Sequence, residues 1–289
     1  MSGMAPSRAI VDLNAYAHNL QTVRQRIPAG CGILAVVKAN AYGHGMLRVA
    51  ERALKEGVAM LGVAAVDEAL TLRQAGIRAP IIVLGQPAEE TLGAVVEHGL
   101  RVMISSVATA ERLGAIAHNA NKVAPIHCKI DTGMGRQGFG VEHAVRDILG
   151  LTRVANIDIE GIATHFTEAD LPNNAYTLNQ IKAFKRVLRQ LEKNGVPYEF
   201  AHAANSAAVI LYNPDAIFNM VRPGLMTYGV WPAPTASAAP PFLKPVLRWE
   251  TRVALVRDIE PGSSIGYGRT YTTPDRTRTA ALVCRAYFQ

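Results

Sequence analysis

The sequence predicts an α/β protein: a (β/α)8 TIM-type barrel followed by an incomplete, mainly β C-terminal domain. Three observations support this. Eight short apolar segments alternate with amphipathic, helix-like stretches over the first 228 residues. A Pro/Ala-rich segment without helical or strand period then occupies residues 231–241. Beyond it, residues 246–257 alternate as a strand does and end in a Pro-Gly turn. An open doubly wound sheet is the alternative, but no GxGxxG motif follows the first strand.

The predicted barrel strands are short and rich in β-branched residues, which is typical of buried parallel strands. They cover residues 32–38, 60–66, 80–85, 101–106, 124–131, 157–166, 198–205 and 217–228. Helices are predicted near 46–56, 67–75, 88–98, 107–119, 141–150, 175–194 and 206–211. We therefore predict a barrel domain over residues 14–240 and a partial β domain over 241–289, to which the strand at 8–13 also belongs.

Composition restricts the class of protein. The chain has 289 residues, is 49% hydrophobic and carries a net charge of +7, but its basic residues are scattered, so we expect no nucleic-acid partner. Its three cysteines, Cys31, Cys128 and Cys284, have no metal-ligand spacing, so we expect no metal. No apolar run approaches the roughly 20 residues of a membrane span, and the N-terminus lacks a secretory signal. We expect a cytoplasmic protein without membrane partners.

The most informative segment is residues 32–45. An apolar strand ends directly at Lys38, and the residues that follow include Tyr42, Gly43 and Gly45. Burying an amine at a strand end is unfavourable unless the amine is used, and Schiff-base formation is one such use. A lone lysine there would more often extend its amine to solvent. The glycines allow a close approach of the backbone to a ligand, which favours the functional interpretation.

A second polar group lies on the predicted strand 124–131. Period-two alternation places His127, Lys129 and Asp131 on one face. Three polar side chains on one face of a buried strand are unfavourable unless they are paired or hydrated. An internal ion pair between Lys129 and Asp131 explains them as well as a functional site does. A short glycine-containing loop then leads to Arg136.

Polar residues also follow the last three predicted strands. His165 ends one strand, where a histidine is more often a core residue than a catalyst. His202 ends the next, and either Asn205 or Ser206 can cap the helix that follows. A helix N-terminus with a hydroxyl group is also a natural phosphate site. Arg222 precedes a rigid Pro-Gly turn at the end of the last strand. In a barrel, all these ends meet at one face.

These segments resemble those of alanine racemases, enzymes that use pyridoxal 5′-phosphate (PLP). Residues 35–45 resemble the family's cofactor-lysine signature, and residues 129–136 resemble its substrate-side motif. The segments around 165, 202–206 and 220–225 resemble their counterparts, and the resemblance continues to about residue 272. It implies PLP as the cofactor and the interconversion of L- and D-alanine, which supplies D-alanine for cell-wall peptidoglycan.

The resemblance implies a role for each matching residue. Lys38 would hold PLP covalently, and Arg136 would contact the substrate, oriented by an often carbamylated Lys129. Arg222 would meet the pyridine nitrogen, with His165 among the cofactor contacts and His202 behind the arginine. The residues implied at the phosphate are Tyr42, Asn205, Ser206, Gly224 and Leu225.

Tyr267 is flanked by glycines within residues 264–271, which on their own predict a turn with exposed tyrosines. The segment resembles the family's catalytic tyrosine motif. Racemisation removes a proton on one face of Cα and returns it on the other, so two acid/base groups are needed. The resemblance makes Lys38 and Tyr267 that pair, with Tyr267 entering the site of a partner subunit in a homodimer. A hydrogen-bond chain from Tyr267 through His165 to Arg222 is expected to make the tyrosine more acidic.

The resemblance stops within the β domain, where residues 280–289 replace a Gly-Tyr-Ala-Asp-Gly-like segment. We therefore expect a truncated or frameshifted domain, with impaired dimerisation and activity. The alternatives are a broad-specificity amino-acid racemase or a decarboxylase on the same plan, and an inactive PLP-binding barrel. Arg222 at the pyridine nitrogen disfavours a decarboxylase, and the Tyr267 segment disfavours a role in cofactor handling alone.

Overall fold

The chain divides into two compact units. The computed structural model describes residues 7–233 and 243–283. The larger unit is Leu13–Val246, and the smaller one combines Met1–Asp12 with Leu247–Gln289. The predicted boundary at residue 240, most of the Pro/Ala-rich segment and Cys284 lie outside the described residues.

The predicted barrel is confirmed: the larger unit is a closed ring of eight parallel strands. The first strand of the chain, β1 (Ser7–Val11), belongs to the smaller unit. The barrel strands are β2 (Gly32–Val36), β3 (Met60–Val63), β4 (Ile81–Val83), β5 (Arg101–Ile104), β6 (Ala124–Asp131), β8 (Ile157–Ala163), β9 (Phe200–His202) and β10 (Met220–Val221), while the short β7 (Phe139–Gly140) pairs with β6. Their order is β5-β4-β3-β2-β10-β9-β8-β6, and pairing of β5 with β6 closes the ring.

Helices connect the barrel strands. They are α1 (Leu13–Arg24), α2 (Met46–Lys55), α3 (Val66–Gln74), α4 (Leu92–Glu97), α5 (Val107–Asn119), α6 (Ala144–Leu151), α7 (Ala175–Lys193) and α8 (Ser206–Leu211). Side chains set some of their starts: Asn174 Oδ1 accepts the Thr177 N–H at 3.0 Å at the start of α7. Among the described residues, no helix is both long enough and apolar enough to cross a bilayer.

The barrel interior is packed with apolar side chains. One buried cluster draws on six of the strands: Leu34, Val36, Met60, Ile82, Met103, Ala163 and Met220. The strands are therefore buried on the inside by this cluster and on the outside by helices such as α7, which buries Phe184 and Leu191. Burial on both faces explains why the sequence shows continuous apolar runs instead of alternation.

Two local predictions were wrong, and one helix was missed. The last predicted strand, 217–228, is reduced to β10, because Pro223 has no N–H to donate and a 3-10 helix follows at Leu225–Tyr228. The first predicted strand ends at Val36, two residues before Lys38. Helix α1 was missed, although Tyr16, Leu20 and Val23 recur at helical spacing and are buried in it.

The smaller unit consists of antiparallel strand pairs. β1 pairs with β11 (Leu247–Thr251), β12 (Val253–Ile259) with β15 (Thr277–Leu282), and β13 (Ser264–Ile265) with β14 (Tyr271–Thr272). Tyr267 lies in a 3-10 turn between Gly266 and Gly268, both of which have positive φ. Its ring is fully exposed, as the sequence predicted.

Candidate active site

Residues that follow the C-terminal ends of seven barrel strands line a single cavity of about 560 Å³. All of the cavity's lining residues belong to the larger unit. The residues predicted from sequence that line it are Lys38, Tyr42, Lys129, Arg136, His165, Asn205, Ser206, Arg222, Gly224 and Leu225. His202 is fully buried and does not line it. Tyr267 belongs to the smaller unit.

Lys38 begins an unusual backbone turn at the cavity. The four residues after it, ending at Tyr42, have φ between 51° and 55°, a left-handed conformation that is unfavourable for residues other than glycine. The Glu68 carboxylate holds the start of this turn. It accepts the Ala39 N–H at 2.5 Å and the Ala64 N–H at 2.7 Å, and so ties the turn to the end of β3. These bonds fix the backbone on which the Lys38 amine is carried.

Hydroxyl groups of Ser206 and Tyr42 meet the Gly224 backbone. Ser206 Oγ accepts the N–H groups of Gly224 at 2.9 Å and Met226 at 3.1 Å. Its own hydrogen therefore stays available and has no acceptor among the described residues. A Cβ on Gly224 would lie 2.7 Å from the Tyr42 hydroxyl, so a larger residue here would displace the Tyr42 side chain. Asn205 Oδ1 accepts the Ala208 N–H at 3.0 Å, which makes Asn205 the N-cap of α8.

Arg222 is buried and donates to two histidines and three backbone carbonyls. Its Nη1 lies 2.7 Å from His202 Nδ1, and its Nη2 lies 3.1 Å from His165 Nδ1. Nη1 also donates to the His202 carbonyl, and Nη2 to the carbonyls of Thr164 and Ala203. Burial and the nearby Arg136 lower the pKa of Arg222 to about 10, so the guanidinium keeps its charge at neutral pH.

The two histidines that contact Arg222 are neutral. A guanidinium has only donors, so both Nδ1 atoms must accept and the proton of each ring lies on Nε2. Burial, reinforced by the positive charge of Arg222, lowers the pKa of His165 to about 2 and that of His202 well below its usual value. The Arg222–His165 half of the expected chain to Tyr267 is thus present, and the Tyr267 half stays a prediction.

Lys129 is buried without a hydrogen bond or ion pair to any described residue. Burial is the main reason its pKa lies well below the usual value, and the charges of Arg222 and Arg136 add to the effect. The internal ion pair with Asp131, one of the two explanations that the sequence left open, does not form. A neutral, nucleophilic amine is the form that these surroundings favour.

Asp131 instead orders the loop that follows β6. Its carboxylate accepts the backbone N–H groups of residues 133–135 at 2.8 to 3.1 Å. Burial acts to raise the pKa of this carboxyl, but the three N–H bonds outweigh burial and lower it. The loop leads directly to Arg136 at the cavity wall, so Asp131 helps to position the backbone of that arginine.

Two residues that support the site were missed from sequence. Glu68 lies in the first turn of α3, where an acidic residue is ordinary. Glu160 alternates with isoleucines on β8, a pattern that indicates a solvated face, yet it accepts from His127 Nε2 at 2.9 Å and pairs with Arg101 at 3.0 Å. No local signal identifies either carboxylate, because Ala39 lies 29 residues from Glu68, and His127 and Arg101 lie 33 and 59 residues from Glu160.

The residues present fit PLP. One wall offers an amine at Lys38, and another offers the Ser206 and Tyr42 hydroxyls beside the close-fitting Gly224, donors suited to a phosphate. A charged Arg222 with only neutral histidines beside it suits a ring nitrogen that accepts a hydrogen bond.

Comparison with known proteins agrees with these features. Residues 11–232 match the family model "Alanine racemase, N-terminal domain", and residues 246–284 match "Alanine racemase, C-terminal domain". The chain is 42% identical to the alanine racemase of Symbiobacterium thermophilum over 98% of its own length and 74% of that protein. Among solved structures, the alanine racemase of Clostridium difficile 630 superposes with a TM-score of 0.89 at 34% identity, covering 96% of this chain and 73% of that one.

A second solved structure carries the cofactor. The alanine racemase of Bartonella henselae, described with covalently bound pyridoxal phosphate, has a TM-score of 0.83 at 29% identity and covers 96% of this chain and 75% of that one. The chain thus spans about three quarters of the length of these relatives. Because the C-terminal family model also matches, a C-terminal domain is present, and the expectation that it is cut short is not confirmed.

Proposed function

The chain belongs to the alanine racemase family, whose members use PLP, and from this premise we propose that it interconverts L- and D-alanine in the barrel cavity. The observation that carries the proposal is the convergence of Lys38, Ser206 and Arg222 on one cavity from three different strand ends. When bound, PLP supplies an electron-withdrawing ring that acidifies the Cα–H of an attached amino acid.

The cofactor's two ends would be held by different groups. The Lys38 amine would hold PLP covalently, on a turn that Glu68 ties in place. At the phosphate end we propose Tyr42, Ser206 and the backbone of Gly224 and Leu225. The Ser206 hydroxyl already accepts two N–H groups, so its remaining hydrogen can be donated to a phosphate oxygen. Asn205 would act beside it, as the cap of α8.

Arg222 would face the pyridine nitrogen. A guanidinium can only donate, so this nitrogen would accept and stay unprotonated. His165 and His202 support that role because they accept from Arg222 and are themselves neutral. An unprotonated ring would withdraw electrons less strongly, which would favour a prompt return of the proton to Cα over side reactions.

The substrate carboxylate would bind Arg136, with Lys129 behind it. The family resemblance implies a carbamylated lysine at this position. Its neutral amine is the form that adds to carbon dioxide, with loss of a proton. The carbamate so formed would place a negative charge near Arg136 and Arg222, whose positive charges now lower the pKa of Lys129.

Proton transfer at Cα would use Lys38 Nζ on one face and Tyr267 Oη on the other. We propose that Tyr267 enters the cavity of a partner subunit in a homodimer. The full exposure of its ring and the exposed apolar residues of the smaller unit, such as Leu255 and Leu282, support an interface there. We propose the cytoplasm as the compartment, because Cys31 and Cys128 are free and buried.

Reductive trapping tests the proposal. Borohydride reduction of the PLP-loaded protein, followed by peptide mapping, should place the pyridoxyl group on Lys38, and the unreduced protein should form D-alanine from L-alanine. Lys38→Arg should lose both properties, while Lys122→Arg, which changes an amine bound to the carbonyls of Val96 and Glu97, should keep them. Labelling of another lysine would refute the assigned site.

A further inference from the structure

Behind Arg222, a chain of hydrogen bonds runs through the barrel interior. Arg222 Nη1 lies 2.7 Å from His202 Nδ1, and His202 Nε2 lies 2.7 Å from His127 Nδ1. His127 Nε2 lies 2.9 Å from Glu160 Oε2, and Glu160 is bound by Arg101, the first residue of β5. This hydrogen-bond chain therefore links the cavity at the C-terminal ends of the strands to a carboxylate deeper in the barrel.

The neighbouring residues pack closely around the His127 ring. A Cβ on Gly161 would lie 2.4 Å from His127 Nδ1, so the ring occupies space that only glycine leaves open. Phe200 stacks on the other side of the ring, with centroids 6.1 Å apart and planes 10° from parallel. Both His127 and His202 are fully buried, so water cannot replace a missing partner without a change in packing.

Each bond in the chain has one allowed direction. Arg222 can only donate, so His202 Nδ1 accepts and the proton of His202 lies on Nε2. That proton is donated to His127 Nδ1, so the proton of His127 lies on its own Nε2 and is donated to Glu160. The chain thus needs a group at its end that only accepts, and an ionised carboxylate is such a group.

Glu160 is held in this ionised form. Burial alone would raise the pKa of its carboxyl, but hydrogen bonds from His127 and Arg101 lower it. Arg101 contributes through Nε, at 3.2 Å from both carboxylate oxygens, and through Nη2 at 3.0 Å. If the acceptor were lost, His127 could move its proton to Nδ1, where it would oppose the Nε2–H of His202. If His202 then moved its proton to Nδ1 in response, this N–H would face the Nη1 donor of Arg222.

We propose that Glu160 is a positioning residue for Arg222, acting through the tautomers of His127 and His202. The carboxylate keeps both rings as Nε2–H tautomers, so that Arg222 always meets an acceptor and holds one orientation at the cavity. The direction of the chain does not depend on the proposed reaction. Its effect on turnover rests on the proposed function.

Histidine tautomers measured by 15N NMR on the full chain without cofactor test the proposal directly. In the wild type, both His127 and His202 should be neutral Nε2–H tautomers at pH 7. Glu160→Met keeps the side-chain length but offers no acceptor, and should raise the Nδ1–H share of His127 by about ten- to a hundredfold, with His202 following.

Arg101→Met is the control for packing and charge. It removes the ion pair but leaves the Glu160 carboxylate. The protein should therefore lose stability, while His127 and His202 should keep their tautomers. An Nδ1–H tautomer at either ring in the wild type would overturn the proposal, and this test needs no variant protein. Unchanged tautomers in Glu160→Met, or the same change in Arg101→Met, would also overturn it.

Turnover separates this inference from the proposed function. With PLP loaded, kcat of Glu160→Met should fall by roughly tenfold at nearly constant KM, which is the scale on which outer partners of ligating histidines act. If the wild type does not racemise alanine, the proposed function fails and the tautomer result stands. If the wild type racemises and Glu160→Met matches it, the effect on turnover is refuted.

Discussion

The barrel and the smaller β unit differ in which side chains they bury: the barrel buries several polar ones, whereas the smaller unit exposes several apolar ones. In the barrel, Arg222, Lys129 and His202 are buried and their surroundings shift their pKa values. In the smaller unit, apolar side chains such as Val253 and Leu255 are more than half exposed. The barrel therefore carries its chemistry on groups fixed from all sides, whereas the smaller unit presents Tyr267 on an exposed turn.

This difference predicts how the two regions respond to the same change. When a buried charged group is removed, several of its partners lose their hydrogen bonds. When an exposed one is removed, water replaces the hydrogen bond to its partner. Substitutions of equal chemistry should therefore have large effects in the barrel and small effects in the β strands.

The largest contrast should come from two arginines. Arg222→Met leaves two histidines and three carbonyls without a donor, so we expect the free energy of unfolding to fall by about 3–5 kcal/mol. Arg278→Met removes an exposed bond to Asp258 and should change it by less than about 1 kcal/mol. Urea unfolding followed by circular dichroism measures both. Equal losses would show that burial does not distinguish the two regions.

Acid should destabilise the barrel selectively, since none of the eight histidines belongs to the smaller unit. The folded-state pKa values of His165 and His202 are lowered, so the unfolded chain takes up protons first as pH falls below about 6.5. Stability present above that pH should decline by about 1 kcal/mol per histidine between pH 7 and 5.5, or roughly 2 kcal/mol for the pair.

Urea titrations at the two pH values measure this loss. His165→Asn should reduce the difference between them by about 1 kcal/mol, because it removes one of the two groups. The exposed His118→Gln is the matched control and should leave the difference as it is. A barrel whose stability is the same at pH 5.5 and pH 7 would contradict the neutral, buried state of these rings.

Cofactor affinity should depend on barrel hydroxyls and not on those of the smaller unit. Ser206→Ala removes one charge-assisted bond, typically about 1.5–3 kcal/mol, so PLP should bind roughly ten- to a hundredfold more weakly. Ser264→Ala, which removes an acceptor of Arg269 in the smaller unit, should leave affinity unchanged. Fluorescence titration with PLP measures both. Unchanged affinity in Ser206→Ala would mean that the serine only organises the Gly224 turn.

The sequence predicted the barrel well because each strand and helix carries its own pattern. The strand ends at Asp131 and His202, and the position of Lys38 just after a strand, could be found for the same reason, and a closed barrel brings such ends together. The left-handed turn up to Tyr42 could not be predicted, since it consists of ordinary residues held by a distant Glu68.

The partners of polar residues were the other failure. Alternation correctly placed His127 and Lys129 on one face, but the sequence alone left a local ion pair between Lys129 and Asp131 as open as a functional site. The structure instead joins His127 to Glu160 and His202, which are 33 and 75 residues away in the chain. Hydrogen bonds across a barrel leave no periodic signal, so only the folded structure reveals them.

Exchange of the Cα proton tests the central claim most directly, because it assigns one base to each region. With PLP-loaded protein in deuterium oxide, Tyr267→Phe should slow deuterium uptake into one alanine enantiomer by at least about a hundredfold and leave the other much less affected. That result would mean that the barrel's Lys38 serves one face and the smaller unit's Tyr267 the other. Equal retention of both exchange rates would contradict the account.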